Sequence, residues 1–400
     1  MNEVLFLNLN LTMQKTVLYI GGFELPDKNA AAQRVIANAK ILKSLGYIVV
    51  FISVDKTMEN EEPIMNTISF FEGFTYFRIK YPKSFYEWLN YLVSIKSIID
   101  LQFINPSILI AYNYPAFALM RLKKYCNNKN ICILADCTEW YEAIGNIVFK
   151  VIKGLDVYLR MQIIHPKLDG LIVISDYLYD FYKAKIKNLL LLPPLVDLEQ
   201  NKWTLNSNKN NKIVLVYAGS IGNGGKDRLD LIIRILSEIK KSSPLAFIFN
   251  IVGLSKTEYL KLFGNETLPL NIDEFVSFKG RLSHVETLKE IVNSDYQLFV
   301  RDPNLTNKAG FPTKYVESIS CGIPVLTNSS DSIKNYFISG KTGFSLDLSS
   351  DDHLKNSLLK AMSLDKEQIH EMKAYCKSSL LFSITHFVSP FKEFLSKMGM

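Results

Sequence analysis

The segment Arg301–Leu326, RDPNLTNKAGFPTKYVESISCGIPVL, gathers residue types that bind an anion and hydroxyls within one turn of each other. A polar loop holding Gly310 and Phe311 precedes Pro312, whose missing N–H suits the first turn of a helix. The amides of that turn, around Thr313 and Lys314, then face the loop and, with the helix dipole, can hold a phosphate. Glu317 follows one turn in, placed to accept from two vicinal hydroxyls. Cys321 and Gly322 close the helix before a buried strand. The competing reading is an ordinary helix with Glu317 on a solvated face; loop, cap, carboxylate and strand occurring together favour the site.

A second candidate is the loop Ala218–Lys226, AGSIGNGGK, which follows a strand and precedes a helix, the setting a phosphate cradle needs. A glycine turn with Lys226 in solvent would look the same. Gly21 and Gly22, after the first strand, permit close backbone approach, with Asn29 and Arg34 near the start of the following helix. Asp136 ends a strand and Glu139 is three residues on, so either can orient an acceptor hydroxyl or help to remove its proton. Asn113 is a further acceptor-side candidate. His165, beside Pro166, reads as a surface or capping histidine. There is no Asp-x-Asp pair, no His-x-x-x-His and no clustered Cys or His, so a catalytic metal is not expected.

The elements that must carry these residues follow from periodicity. Short β-branched apolar runs alternate with segments of helical period, the pattern of parallel sheets covered on both faces. Strands are predicted at Val17–Ile20, Tyr47–Ser53, Ser107–Ala111, Ile131–Ala135 and Leu171–Ser175, and again at Ile213–Tyr217, Phe247–Val252, Val276–Phe278, Gln297–Val300 and Pro324–Thr327. The fold class is therefore α/β, with two Rossmann-like doubly wound domains facing across a cleft. The expected boundaries are residues 1–195 for an acceptor domain, 196–212 for a polar linker, 213–380 for a donor domain and 381–400 for a helix crossing back. Ile147–Lys167 mixes apolar and basic residues; it suits an anionic membrane surface, but a core-facing helix with a basic outer side is the favoured reading.

In order and spacing, YIGGFELPDKNAAAQRV, GLIVISDYLYDFY with LLLLPPLVD, VYAGSIGNGGK and the Arg301–Leu326 segment resemble the retaining GT-B glycosyltransferases of family four, the bacterial polysaccharide-assembly branch in particular. The resemblance covers nearly the whole chain. It implies that Glu317 binds the ribose of a nucleotide-sugar donor and that the Gly21–Gly22 loop meets donor phosphates and acceptor. It also matches Lys226 to a lysine that clamps the diphosphate, whereas Ser220 stands where the family has an arginine; Arg228, Arg281 or Arg301 can replace that charge. The family's first glutamate, separated from the second by seven residues, falls at Ala309 here, so no nucleophile stands at that position.

The expected activity is a hexosyl-type, retaining glycosyl transfer from a nucleoside-diphosphate sugar to a glycan or polyprenyl-linked hydroxyl in surface polysaccharide assembly. The nucleotide sugar is a co-substrate, with no cofactor. Gly219, Ser220, Lys226 and Arg281 join the Gly310–Glu317 segment on the donor side. Rival readings are a non-catalytic nucleotide-sugar-binding subunit and a sugar-nucleotide epimerase; neither glycine loop completes the Gly-x-Gly-x-x-Gly of a dehydrogenase. The composition agrees: over 400 residues, 48% hydrophobic and 21% charged residues with 19 Gly and 14 Pro describe a folding chain, and five scattered cysteines suggest no disulfide framework. A net charge of +7 without a long basic block suits anionic small molecules or an acidic membrane surface, and no nucleic-acid partner is expected. A poor secretory signal and the lack of an apolar run long enough to span a bilayer point to a cytoplasmic location, peripheral on the membrane face at most; Met13 is an alternative start.

Overall fold

The structure, a computed structural model, describes residues 15–26, 29–60, 64–84, 87, 104–141, 147–205, 212–219, 227–328 and 332–400. These fall into two units: Met1–Leu195 with Ala309–Phe311 and Ile384–Met400, and Val196–Lys308 with Pro312–Ser383.

The first unit is built on eight strands: β1 (Thr16–Gly21), β2 (Ile48–Asp55), β3 (Ser69–Phe71), β4 (Phe74–Lys80), β5 (Ile108–Tyr112), β6 (Cys132–Cys137), β7 (Gly170–Val173) and β8 (Leu189–Leu191). Their order is β3-β4-β2-β1-β5-β6-β7-β8, parallel throughout except for β3, which pairs antiparallel with β4. Every residue of β1 and β5 is buried, as befits strands sandwiched between helices. The winding reverses between β1 and β5, so the carboxyl ends of these two strands flank the natural ligand crevice of this sheet.

The second unit carries β9 (Ile213–Ala218), β10 (Phe247–Val252), β11 (Val276–Gly280), β12 (Tyr296–Leu298), β13 (Val325–Thr327) and β14 (Gly343–Ser345), all parallel, in the order β11-β10-β9-β12-β13-β14. Here the reversal lies between β9 and β12.

The C-terminal segment completes the first unit. Phe391, Phe394 and Leu395 of the helix Val388–Ser396 join the same buried cluster as Leu190, Leu192 and Leu195. Gly170 makes room for them: a Cβ there would stand 2.9 Å from Phe394 Cζ and from Met398 Sδ, inside van der Waals contact.

Local readings change at four places. The loop before Gly310 contains a helical turn, Leu305–Ala309, begun by Asn304, whose side-chain oxygen accepts from Asn307 N at 2.8 Å. Pro312 caps the next helix, Thr313–Ser320, from outside rather than opening it. The helix Ile147–Tyr158 does not turn its apolar face inward: Ile147 is 80% and Val151 65% exposed, while the buried contacts of the segment come from Val157, Met161 and Ile164. Finally, His165 is not surface-exposed, although it is the C-cap residue of the helical turn Leu159–Ile164, its N–H bonded to Arg160 O. It is buried, with Nδ1 2.8 Å from the Tyr182 hydroxyl.

Burial, and secondarily the Arg160 guanidinium, hold His165 well below the ordinary histidine pKa. The unfolded chain therefore takes up a proton near pH 6.5 that the folded protein refuses, so stability is complete above that pH and declines as pH falls below it. His165→Gln removes this contribution. Its thermal midpoint should fall less than that of the wild type between about pH 7.5 and pH 5.5; parallel curves for the two proteins would remove His165 as the cause.

Candidate functional site

Each sheet places a buried carboxylate near the carboxyl ends of the strands at its reversal. In the second unit it is Asp227. β9 ends at Ala218, and Gly219 donates its N–H to Val252 O at 3.1 Å. Asp227 bridges to Arg301 beyond β12, and Arg228 N donates to Val300 O at 2.8 Å. The Asp227 carboxylate accepts from Arg301 Nε at 2.8 Å and from the Tyr217 hydroxyl at 2.7 Å, and pairs with Lys314 Nζ at 2.7 Å. Lys314 also stands 5.0 Å over the Tyr217 ring.

Burial alone would raise the pKa of Asp227; Lys314 and Arg301 more than reverse it and hold the carboxyl well below the usual carboxylate range. The three groups carry one net positive charge. Gly219 is part of the fit: its φ is +148°, and a Cβ there would lie 2.7 Å from Lys314 Cε, so only glycine lets the lysine cross the strand end. Arg301 is held at its backbone as well, its N–H donating to Asn328 Oδ1 at 3.0 Å and its carbonyl accepting from Asn328 Nδ2 at 2.7 Å.

Glu317 lies one turn along the helix that carries Lys314. Its side chain is partly open, and Oε1 is 3.3 Å from His284 Nε2, which as the partner of a carboxylate is the donor. His284 opens the helix His284–Val292, whose start is fixed by reciprocal hydrogen bonds between Ser283 and Glu286. The edge of the Trp203 ring, 6.1 Å away, backs the imidazole. Asp227, Tyr217 and His284 escaped the sequence reading. An acidic residue just before an apolar helix is the one signal Asp227 offers, and it is also the signal of an ordinary cap.

The other expected residues are distributed as follows. Ser220 and Lys226 lie outside the described residues. Arg228 is taken up by Asp230 and Asp302, and Arg281 is 83% exposed, with Glu258 at 3.8 Å its ion-pair contact. Ala309–Phe311 count with the first unit, where Ala309 O accepts from Ser175 Oγ at 2.7 Å. In the turn after Pro312 the Tyr315 amide is already bonded to Pro312 O at 3.0 Å.

In the first unit, Gly21 comes so close to β5 that a Cβ would sit 2.6 Å from Tyr112 O, and Gly22 is open. Asn29 caps the helix Ala30–Ser44 by accepting from Ala32 N at 2.9 Å. Arg34 and Asp136 form a fully buried pair. Arg34 Nη2 donates to Asp136 Oδ1 at 2.7 Å, and Nη1 reaches Leu192 O at 2.9 Å and Pro193 O at 3.2 Å. Tyr19 donates to Asp136 Oδ2 at 2.5 Å. This occupancy withdraws Asp136 from any hydroxyl entering from solvent and leaves Glu139, half-buried beside Tyr141, at that strand end. Asn113 is engaged by Thr138, donating to its Oγ1 at 2.6 Å. Among the described residues no group of three or more His, Cys, Asp or Glu is arranged to hold a metal ion.

Residues 198–378 match the sequence profile of the family described as "Glycosyl transferases group 1". No curated protein matches the chain. Among solved structures, sucrose-phosphate synthase from Thermosynechococcus elongatus superposes with a TM-score of 0.70 at 12% identity, over 96% of this chain and 99% of that one. A glycosyltransferase from Rickettsia africae ESF-5 gives 0.68 at 17% identity over 96% and 99%. Anabaena Alr3699/HepE, solved in complex with UDP, gives 0.66 at 12% identity over 96% and 100%. The shared fold is GT-B, two parallel-sheet α/β domains.

The Asp227 cluster makes a stability prediction. Lys314→Met leaves a buried carboxylate with one cation fewer and should cost about 3–5 kcal/mol in urea unfolding. Adding Asp227→Asn removes the stranded charge, so the double variant should lose clearly less than the two single losses combined. Strict additivity would show that the groups do not act as one unit.

Proposed function

Because residues 198–378 fall within the group 1 glycosyl transferases and the chain takes the GT-B fold, we propose that the protein moves a sugar from a nucleoside-diphosphate donor to a hydroxyl of a glycan or polyprenyl-linked acceptor. It does so on the cytoplasmic face of a membrane, in surface polysaccharide assembly. The observation that carries this reading is the net positive cluster of Lys314, Arg301 and Asp227 at the winding reversal of the second sheet, with Glu317 one turn away on the same helix.

A diphosphate seated against that positive end has its charge balanced by the protein's own cations, and the donor ribose reaches the Glu317 carboxylate. With alanine at position 309, the simplest course is same-face displacement with retention. The bond from the anomeric carbon to the diphosphate oxygen breaks and its electron pair leaves with the nucleoside diphosphate. The acceptor oxygen bonds the anomeric carbon from the same side, and its proton passes to the departing oxygen. Lys226, next in sequence to the anchored Asp227, stabilises the leaving group. Protein cations suffice for this role, so transfer should persist in EDTA.

Calorimetric titration with UDP, ADP and GDP should identify one ligand. Glu317→Gln should weaken it about tenfold, and the difference between the two proteins should shrink with the 2′-deoxy counterpart, which keeps only one of the two hydroxyls. With donor and acceptor together, free nucleoside diphosphate should appear, and Lys226→Ala should slow its release by about a hundredfold or more. Interconversion of the sugar nucleotide alone would make the protein an epimerase, and binding without turnover would make it a non-catalytic subunit.

A further inference from the structure

Sixteen large apolar side chains are exposed among the described residues, and nine of them lie on two neighbouring segments, Ala116–Lys129 and Ile147–Ile164. Along the second they recur at helical spacing: Ile147 at 80%, Val151 at 65%, Leu155 at 56% and Tyr158 at 57% exposed, with Ile163 continuing the stripe. Phe117 and Met120 stand open on the adjacent helix. The segment does not need this stripe for its own packing. Val157, Met161 and Ile164 form a separate inner stripe that is buried, so Ile147–Ile164 is apolar on two sides and only one of them faces the core.

The charge around this surface has one sign. Residues 116–129 and 147–167 contain eight basic residues and a single acid, Asp156. That acid is turned to the protein, accepting the Ala116 amide at 2.7 Å. Arg121, Lys124, Lys150 and Lys167 are exposed, and their long stems allow the charges to sit at the level of lipid headgroups while the apolar stripe goes deeper. Each such cation adds attraction to an anionic leaflet. A second copy of the chain would bring the same cations against this face, and the repulsion disfavours self-association there.

We propose that the outer face of Ile147–Ile164, together with Phe117 and Met120, docks the protein on an anionic lipid surface with the helix lying in the plane of the interface. No helix among the described residues is long and apolar enough to cross a membrane, which fits a segment that rests on the surface rather than spanning it. The inference rests on the proposed membrane-face acceptor only for its purpose; its physical support is the exposed stripe and the charge beside it.

The test is co-sedimentation of the full chain with vesicles of phosphatidylcholine, alone or with about a third phosphatidylglycerol. Binding should be at least tenfold stronger on the anionic vesicles and should weaken with salt. Val151→Glu with Leu155→Glu should reduce it about tenfold or more; the milder Val151→Ser with Leu155→Ser should reduce it less, in a protein whose melting temperature and nucleoside-diphosphate affinity are unchanged. Wild-type binding by the glutamate variant, equal binding to both vesicle types, or no binding by the wild type would overturn the proposal. So would a lipid-free dimer that the same substitutions dissociate while vesicle binding stays intact. Loss of vesicle binding with nucleotide binding retained separates this surface from the transfer reading, which fails instead if no nucleoside diphosphate binds.

Discussion

The second sheet is organised around one carboxylate shared by two cations. Asp227 gains little from being buried; it is stable there because Lys314, Arg301 and the Tyr217 hydroxyl together replace the water it gave up. Those partners come from a strand, from the segment beyond another strand and from a helix, so the same bonds fix three elements at the winding reversal. They anchor Asp227, while Gly219 is held separately through its N–H to Val252 O.

The first sheet repeats the device with a different balance. Arg34 against Asp136 leaves no net charge, and the remaining Arg34 donors fasten the backbone at Leu192 and Pro193, where the chain prepares to leave this unit. The second sheet's cluster keeps a positive charge in excess. The same architectural position is therefore charge-balanced in one unit and net positive in the other, and the difference comes from one additional cation.

Much of the fold was legible because buried parallel strands advertise themselves as short β-branched runs, and β1, β2, β5, β9 and β10 all do so. Strands β3, β4, β8 and β14 were not seen, since three-residue pairings such as β3, β8 and β14 are too short to show a period, and β4 carries Arg78 and Lys80 among its apolar residues. Ile147–Lys167 shows the limit of composition: a helical stripe reports that one face is apolar but not whether anything covers it, and here a second stripe took the core position. His165 looked exposed beside Pro166 because its partner, Tyr182, is contributed by a later helix. Asp227 and His284 were hidden for a related reason, since each acquires its role from residues far along the chain, 74 positions away at Arg301 and 33 at Glu317.

The aromatic residues of Val388–Ser396 pack over Gly170 into the core of the first unit. During synthesis, then, the amino-terminal half emerges long before the residues that close its interior. It must wait, partly open, while the whole second unit is translated. The second unit, itself complete only at Ser383, is finished just before that closing segment, so the two units become complete almost together although one begins far earlier.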